Sequence, residues 1–197
     1  MTLTRRSLIL PALLAGILAI LAITAIPATS AVAAETLTPE ALERGLVGSW
    51  SGALAYRDDQ SNARVALPVQ TRVDLGADGA TFTRVSRWGD GPKTGTVTIT
   101  TVSLFDTTGA SVTHAMVRKG RAVETWTETV SVQAHNGPED WTLVDQRRGT
   151  DGNQPADIRI TQTRRGGDLK AVKEGKAPDQ PDSADALRNE TVLQRVP

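Results

Sequence analysis

The chain reads as an all-β protein: an antiparallel up-and-down barrel of about 8 to 10 strands, preceded by one short helix. Three observations carry that reading. Runs of apolar and β-branched residues recur at intervals of about 8 to 15 residues with turn residues between them. Within the runs, side chains alternate with period two rather than 3.6. No strand–helix–strand succession of the kind that builds a parallel sheet is visible. A sandwich shares these signals, and the choice between barrel and sandwich rests on the opening strand considered below.

Residues 1–34 have the layout of an export signal: Arg5 and Arg6, an apolar run from Leu8 to Ile26, then small residues up to Ala33 and Ala34 before Glu35. Those three regions are what a secretion machinery and its peptidase read. Cleavage is expected after Ala33 or Ala34, leaving residues 35–197 as a single barrel domain in the periplasm or secreted. Arg5-Arg6 followed by Leu8 and Ile9 also resembles a twin-arginine signal, so both export routes stay open. The competing reading is an uncleaved anchor, since about 18 or more apolar residues can span a bilayer; the Ala-rich end favours cleavage.

The chain has 22 basic and 22 acidic residues, and the signal removes Arg5 and Arg6, so the remainder is slightly acidic. A near-neutral, interleaved charge gives no electrostatic footprint for nucleic acid, which is not an expected partner. There is no cysteine, which excludes disulfides, thiolate metal ligands, a cysteine nucleophile and a lipidated cysteine. Aromatics are 4% of the chain, too few for the girdles of an outer-membrane barrel, so no membrane association is expected once the signal is cleaved.

Thr38-Pro39-Glu40-Ala41-Leu42-Glu43-Arg44-Gly45 carries a capping threonine, proline at the first helical position and a glycine stop, and reads as a short helix that could lid the barrel. The first strand is expected at about 47–57. The second alternates through Val65, Leu67, Val69, Thr71, Val73 and Leu75, with Pro68 marking an edge, bulge or strand start. Strands follow over 80–88, 96–105, 111–118 and 121–132, with Gly89 to Gly95 a plain turn signal and Lys119-Gly120 a tight hairpin. A loop is expected over 133–140, a strand from Trp141, a loop over 149–156, a strand over 157–164 and a short segment over 169–173. Residues 174–186 read as a Pro-rich acidic loop, and a last strand covers about 187–196.

The larger, more apolar face of each strand defines the expected interior, which includes Trp50, Phe82, Trp141, Ile160 and Leu193. Several polar residues share these faces. Tyr56, Arg84, Trp88, His114, Glu124, Trp126 and Glu128 are the candidate ligand-binding residues, and Asp145, Gln162 and Arg164 fall on inward positions too. Buried charge is costly unless paired, so the barrel encloses a paired network or a wet cavity, or else bulges turn these side chains to solvent. His114 and His135 are the only histidines, His135 lies in an expected loop, and no metal site is expected. No G-x-S-x-G elbow is present, and no catalytic residue is assigned.

The opening Gly48-Ser49-Trp50-Ser51-Gly52 resembles the G-x-W-x-G of calycin barrels, the group that includes lipocalins. In that group the tryptophan packs on an arginine of the last barrel strand; the resemblance implies that Trp50 closes the floor with Arg195, or with Arg188. The remaining lipocalin motifs are absent. The opening is also similar to that of nitrobindin-like haem barrels, which implies an iron-binding late histidine; no histidine follows His135, and no cofactor is expected. The string from Trp50 to Asp58 resembles one in uncharacterised exported bacterial proteins and implies no activity.

Three functions are compatible with these residues. The first is an exported barrel holding a small, partly apolar ligand. The second is a scaffold with a filled core that binds a protein partner. The third is an enzyme built on Glu124, Glu128, His114 and Arg84. An interior cavity of roughly 300 Å³ or more favours the first over the second.

Overall fold

The computed structural model describes residues 37–58, 61–179 and 185–197. Helix α1 (Pro39–Arg44) leads into ten strands: β1 (Gly48–Arg57), β2 (Arg64–Leu75), β3 (Thr81–Gly89), β4 (Thr96–Phe105), β5 (Ser111–Arg118), β6 (Glu124–His135), β7 (Asp140–Asp151), β8 (Gln154–Arg165), β9 (Asp168–Lys176) and β10 (Ala186–Val196). Each strand pairs antiparallel with the next, and β10 returns to β1, so the sheet closes on itself. A closed meander leaves no unpaired edge. No helix among the described residues is long and apolar enough to cross a membrane, and the apolar run from Leu8 to Ile26 lies outside the described residues.

Helix α1 plugs one end of the barrel. Its N-cap Thr38 accepts a hydrogen bond from Ala41 N at 3.2 Å, and Pro39 opens the first turn where no amide donor is needed. Leu42, and Leu46 just beyond the helix, are fully buried against Trp50, Val73, Phe82 and Trp141. The indole Nε1 of Trp50 donates to Leu46 O at 2.7 Å, and that of Trp141 to Pro138 O at 3.0 Å. Arg164 is only 1% exposed. Its guanidinium donates to Gly45 O, Pro138 O and Gly166 O at 2.8 to 3.0 Å and meets Glu139 at 3.0 Å. A Cβ on Gly45 would collide with that guanidinium, so glycine there lets helix and arginine approach.

Several boundaries differ from the sequence reading. A bulge at Gln133 lets β6 run on to His135, where the sequence predicts a loop. Residues 121–123 belong to the β5–β6 connection, which is five residues long rather than a two-residue turn. The expected loop over 149–156 is a hairpin whose two central residues, Gly152 and Asn153, have φ of 58° and 63°, the handedness that matches strand twist. Strand β9 extends to Lys176, shortening the expected loop over 174–186; residues 180–184 lie outside the described residues. Polar side chains on both faces erase the period-two signal in these stretches, while backbone pairing continues regardless. The Gly89–Gly95 turn contains a single helical turn, α2 (Gly91–Thr94).

Candidate functional site

Inside the barrel are two adjoining chambers, one of about 280 Å³ on the α1 side and one of about 560 Å³ towards the opposite end. They share Arg84, Thr101, Gln162, Ala171, Lys173 and Thr191 as walls. The larger is mostly apolar: Leu54, Leu67, Trp88, Ile99, Met116 and Leu193 line it, with Asp90 and Arg118 at the far end. The smaller is mostly apolar as well but gathers more charged side chains, Glu43, Arg84, Glu128, Asp145 and Lys173 among them, and these come from different elements because alternation turns every second residue of each strand inward.

One network crosses β4, β5 and β6. Ser103 Oγ and His114 Nδ1 are 2.8 Å apart, His114 Nε2 and Glu128 Oε1 2.9 Å, and Trp126 Nε1 donates to Glu128 Oε2 at 3.2 Å. The cross-strand pair His114 and Trp126 stacks with centroids 4.9 Å apart, and Arg147 lies 5.1 Å from the Trp126 ring centroid. Arg147 Nε is 3.6 Å from Glu128 Oε2, an ion pair too long for a hydrogen bond. When Glu128 accepts from Nε2 and the imidazole is neutral, Nδ1 accepts from Ser103; an imidazolium would donate to both. A hydroxyl, imidazole and carboxylate in sequence is the relay that activates serine nucleophiles. Ser103, however, sits in mid-strand, where the ladder occupies the neighbouring backbone amides, so donors to an oxyanion would have to be side chains such as Arg84.

A second network joins α1 to β3, β7 and β8. Glu43 Oε2 meets Arg84 at 3.3 Å, Gln162 Nε2 donates to Glu43 Oε1 at 3.2 Å, and the same Nε2 donates to Asp145 Oδ2 at 2.8 Å. Two carboxylate acceptors fix which end of the Gln162 amide is nitrogen. Asp145 is 5% exposed and makes no ion pair with any described residue. Burial pushes its carboxyl up to about 7; the Glu43 and Glu128 charges add to the rise, and the Gln162 bond and Arg84 oppose it. Among the described residues three buried polar atoms lack any hydrogen-bond partner: Arg147 Nε in the first network, Gln162 Oε1 in the second and Trp88 Nε1 beside the larger chamber.

Of the residues singled out in the sequence, Arg84, His114, Trp126 and Glu128 line the smaller chamber, and Arg84 and Trp88 the larger. Tyr56 and Glu124 line neither. Both have the inward parity but the wrong height: Tyr56 is next to last in β1, beside a separate small pocket of about 120 Å³ with Arg64 and Arg188, and Glu124 opens β6, exposed at the rim. Trp50 is buried, with the Arg195 guanidinium carbon 5.1 Å from its ring centroid; Arg188 instead pairs with Asp151 at 2.9 Å from a bulge in β10. Sequence reasoning misses Glu43 and Ser103. Glu43 comes from the helix, whose inward face the strand alternation does not define. Ser103 belongs to a strand with β-branched residues on both faces, and only its neighbours show which face is inside. Among the described residues no group of three or more histidine, aspartate or glutamate side chains is placed to hold a metal ion.

The fold and its interior define a closed ten-stranded antiparallel barrel with an open-mouthed interior cavity that gathers charged side chains towards α1. No protein-family model matches the chain, and no curated protein matches its sequence. Among solved structures it is similar to Rv2717c from M. tuberculosis, at 17% identity and a TM-score of 0.56, over 82% of this chain and 99% of that one. At that identity the likeness is one of fold.

Proposed function

We propose that this is an exported, calycin-like binding protein that holds one small, partly apolar molecule inside its barrel. One observation carries the reading: two chambers of about 280 and 560 Å³ share a wall, where a scaffold would fill the same space with side chains. Pockets of a few hundred Å³, apolar with a few fixed polar groups, are the usual form of small-molecule sites. The apolar chamber suits the body of the guest. Gln162 Oε1 and Trp88 Nε1 suit a donor and an acceptor on it, because a buried polar atom without a partner is costly. Export rests on the signal-like residues 1–34.

The test is titration of the mature chain with N-phenyl-1-naphthylamine, a neutral apolar fluorophore. Saturable one-to-one enhancement is expected, with native mass spectrometry of gently purified protein reporting any resident molecule. Absence of saturable binding by the folded protein would overturn the reading.

A further inference from the structure

Within the ligand reading, on which this inference rests, the charges around the smaller chamber are unequally matched. Arg84 of β3 is taken by Glu43 of α1, Arg147 of β7 and His114 of β5 both face Glu128 of β6, and Lys173 of β9 is held by Asp151 at 2.5 Å. Those are the charged and titratable groups that face Asp145 or its neighbours from the elements around it. Arg84, Arg147 and Lys173 each already have an acidic partner, and Asp145 is the acid left over. Beside it the Gln162 side chain, 8% exposed, has its Nε2 committed to two carboxylates and its Oε1 to nothing. At the wall of the smaller chamber there are therefore two acceptors on adjacent side chains, one of them anionic when ionised, while its arginine and lysine charges are each already in an ion pair.

We infer that the guest is an organic amine, whose ammonium group is held between the Asp145 carboxylate and Gln162 Oε1 while its apolar body extends into the chamber lined by Leu54, Leu67, Trp88 and Met116. An ammonium carries three donors and one charge, which matches two acceptors and one unpaired carboxylate. In the smaller chamber a carboxylate or phosphate head would meet Glu43, Glu128 and Asp145 and would have to break an existing ion pair to find a cation; Arg118, which is in no ion pair with any described residue, lies at the far end of the larger chamber. A hydroxyl head could satisfy Gln162 but would leave the Asp145 charge unpaired. Docking an ammonium also favours the ionised carboxylate, since an opposite charge nearby draws the proton off. At pH 7, amine binding thus displaces protons from Asp145 into solution.

The experiment displaces N-phenyl-1-naphthylamine at pH 8 with a matched trio, 4-phenylbutylamine, 4-phenylbutanol and 4-phenylbutanoate, against the mature protein and its Asp145→Asn variant. The amine is expected to bind at least tenfold more tightly than the alcohol, with the carboxylate weakest. Asp145→Asn is expected to abolish that preference while the fluorophore still binds. If that variant does not fold, Gln162→Leu, which removes only the neutral acceptor, is expected to weaken the amine severalfold. Calorimetry of the amine at pH 7 in two buffers of different ionisation enthalpy should show proton release from the wild type alone. Fluorophore binding with an equal or greater affinity for the carboxylate, or an amine preference that survives Asp145→Asn, would overturn this inference and leave the ligand reading standing. Failure of the fluorophore to bind would remove both.

Discussion

Arg195 stands directly opposite Trp50 in the β1–β10 ladder and lays its guanidinium over the indole, 5.1 Å from the ring centroid. Its guanidinium also donates to Gly45 O at 3.3 Å and to Val47 O, so one side chain joins the first strand, the last strand and the end of the helix. Arg164 lies 5.9 Å from the same ring. Truncation of Trp50 and of Arg195 should have unequal effects. Trp50→Ala opens a cavity in the core around Leu42, Leu46 and Trp141 and should cost about 3 to 5 kcal/mol. Arg195→Ala removes an exposed cation–π contact worth about 0.5 to 1 kcal/mol, besides its carbonyl bonds. Urea denaturation of the two variants measures the difference; equal losses would refute this account of the closure.

Gly52 permits that closure. A Cβ there would overlap Val192 O and lie 2.9 Å from Leu193 Cα, both backbone atoms of the strand it pairs with. Gly52→Ala should force β1 and β10 apart and destabilise the protein by about 1 to 3 kcal/mol, the range for overpacked sites. A midpoint in urea unchanged from wild type would refute it.

Asp145 should make stability fall with rising pH. Its carboxyl is held at about 7 against an ordinary 3.8, so between those values the folded protein binds more protons than the unfolded one. The stability this group contributes is complete below about pH 4 and is lost as pH rises through about 7. Asp145→Asn should flatten that decline and, at pH 8, stabilise the ligand-free protein by about 2 to 4 kcal/mol, since each tenfold change in proton affinity is worth about 1.4 kcal/mol. Denaturation midpoints of both proteins at pH 5 and pH 8 check the sign; a variant that is less stable at pH 8 would contradict it.

Ala171 lies on the wall common to both chambers. Ala171→Phe should fill the junction and cut fluorophore affinity at least tenfold, since excluded volume removes the site. Circular dichroism verifies that the barrel persists. Unchanged binding would place the fluorophore elsewhere.

The export reading predicts that protein recovered from the periplasm or medium begins at Ala34 or Glu35 by intact mass. A membrane-bound product retaining Leu8 to Ile26 would contradict it.

Alternation and turn residues are local signals, and they suffice for the all-β class, the capped helix 39–44 and most strand positions. Arg84, His114, Glu128, Asp145 and Gln162 are legible as inward positions on the same basis. What local pattern does not encode is height along the barrel and the identity of neighbours two or more strands away. Tyr56 and Glu124 share the inward parity yet lie at the rim, and the hairpin at Gly152-Asn153 is set by backbone pairing among residues too polar on both faces to alternate. Glu43 and Gln162 are bonded across a separation of 119 residues. The β7–β8 hairpin sets Asp145 beside Gln162, but only the plug of α1 brings Glu43 to them and leaves Asp145 without a cation, because burial and charge balance depend on the whole interior rather than on any one strand.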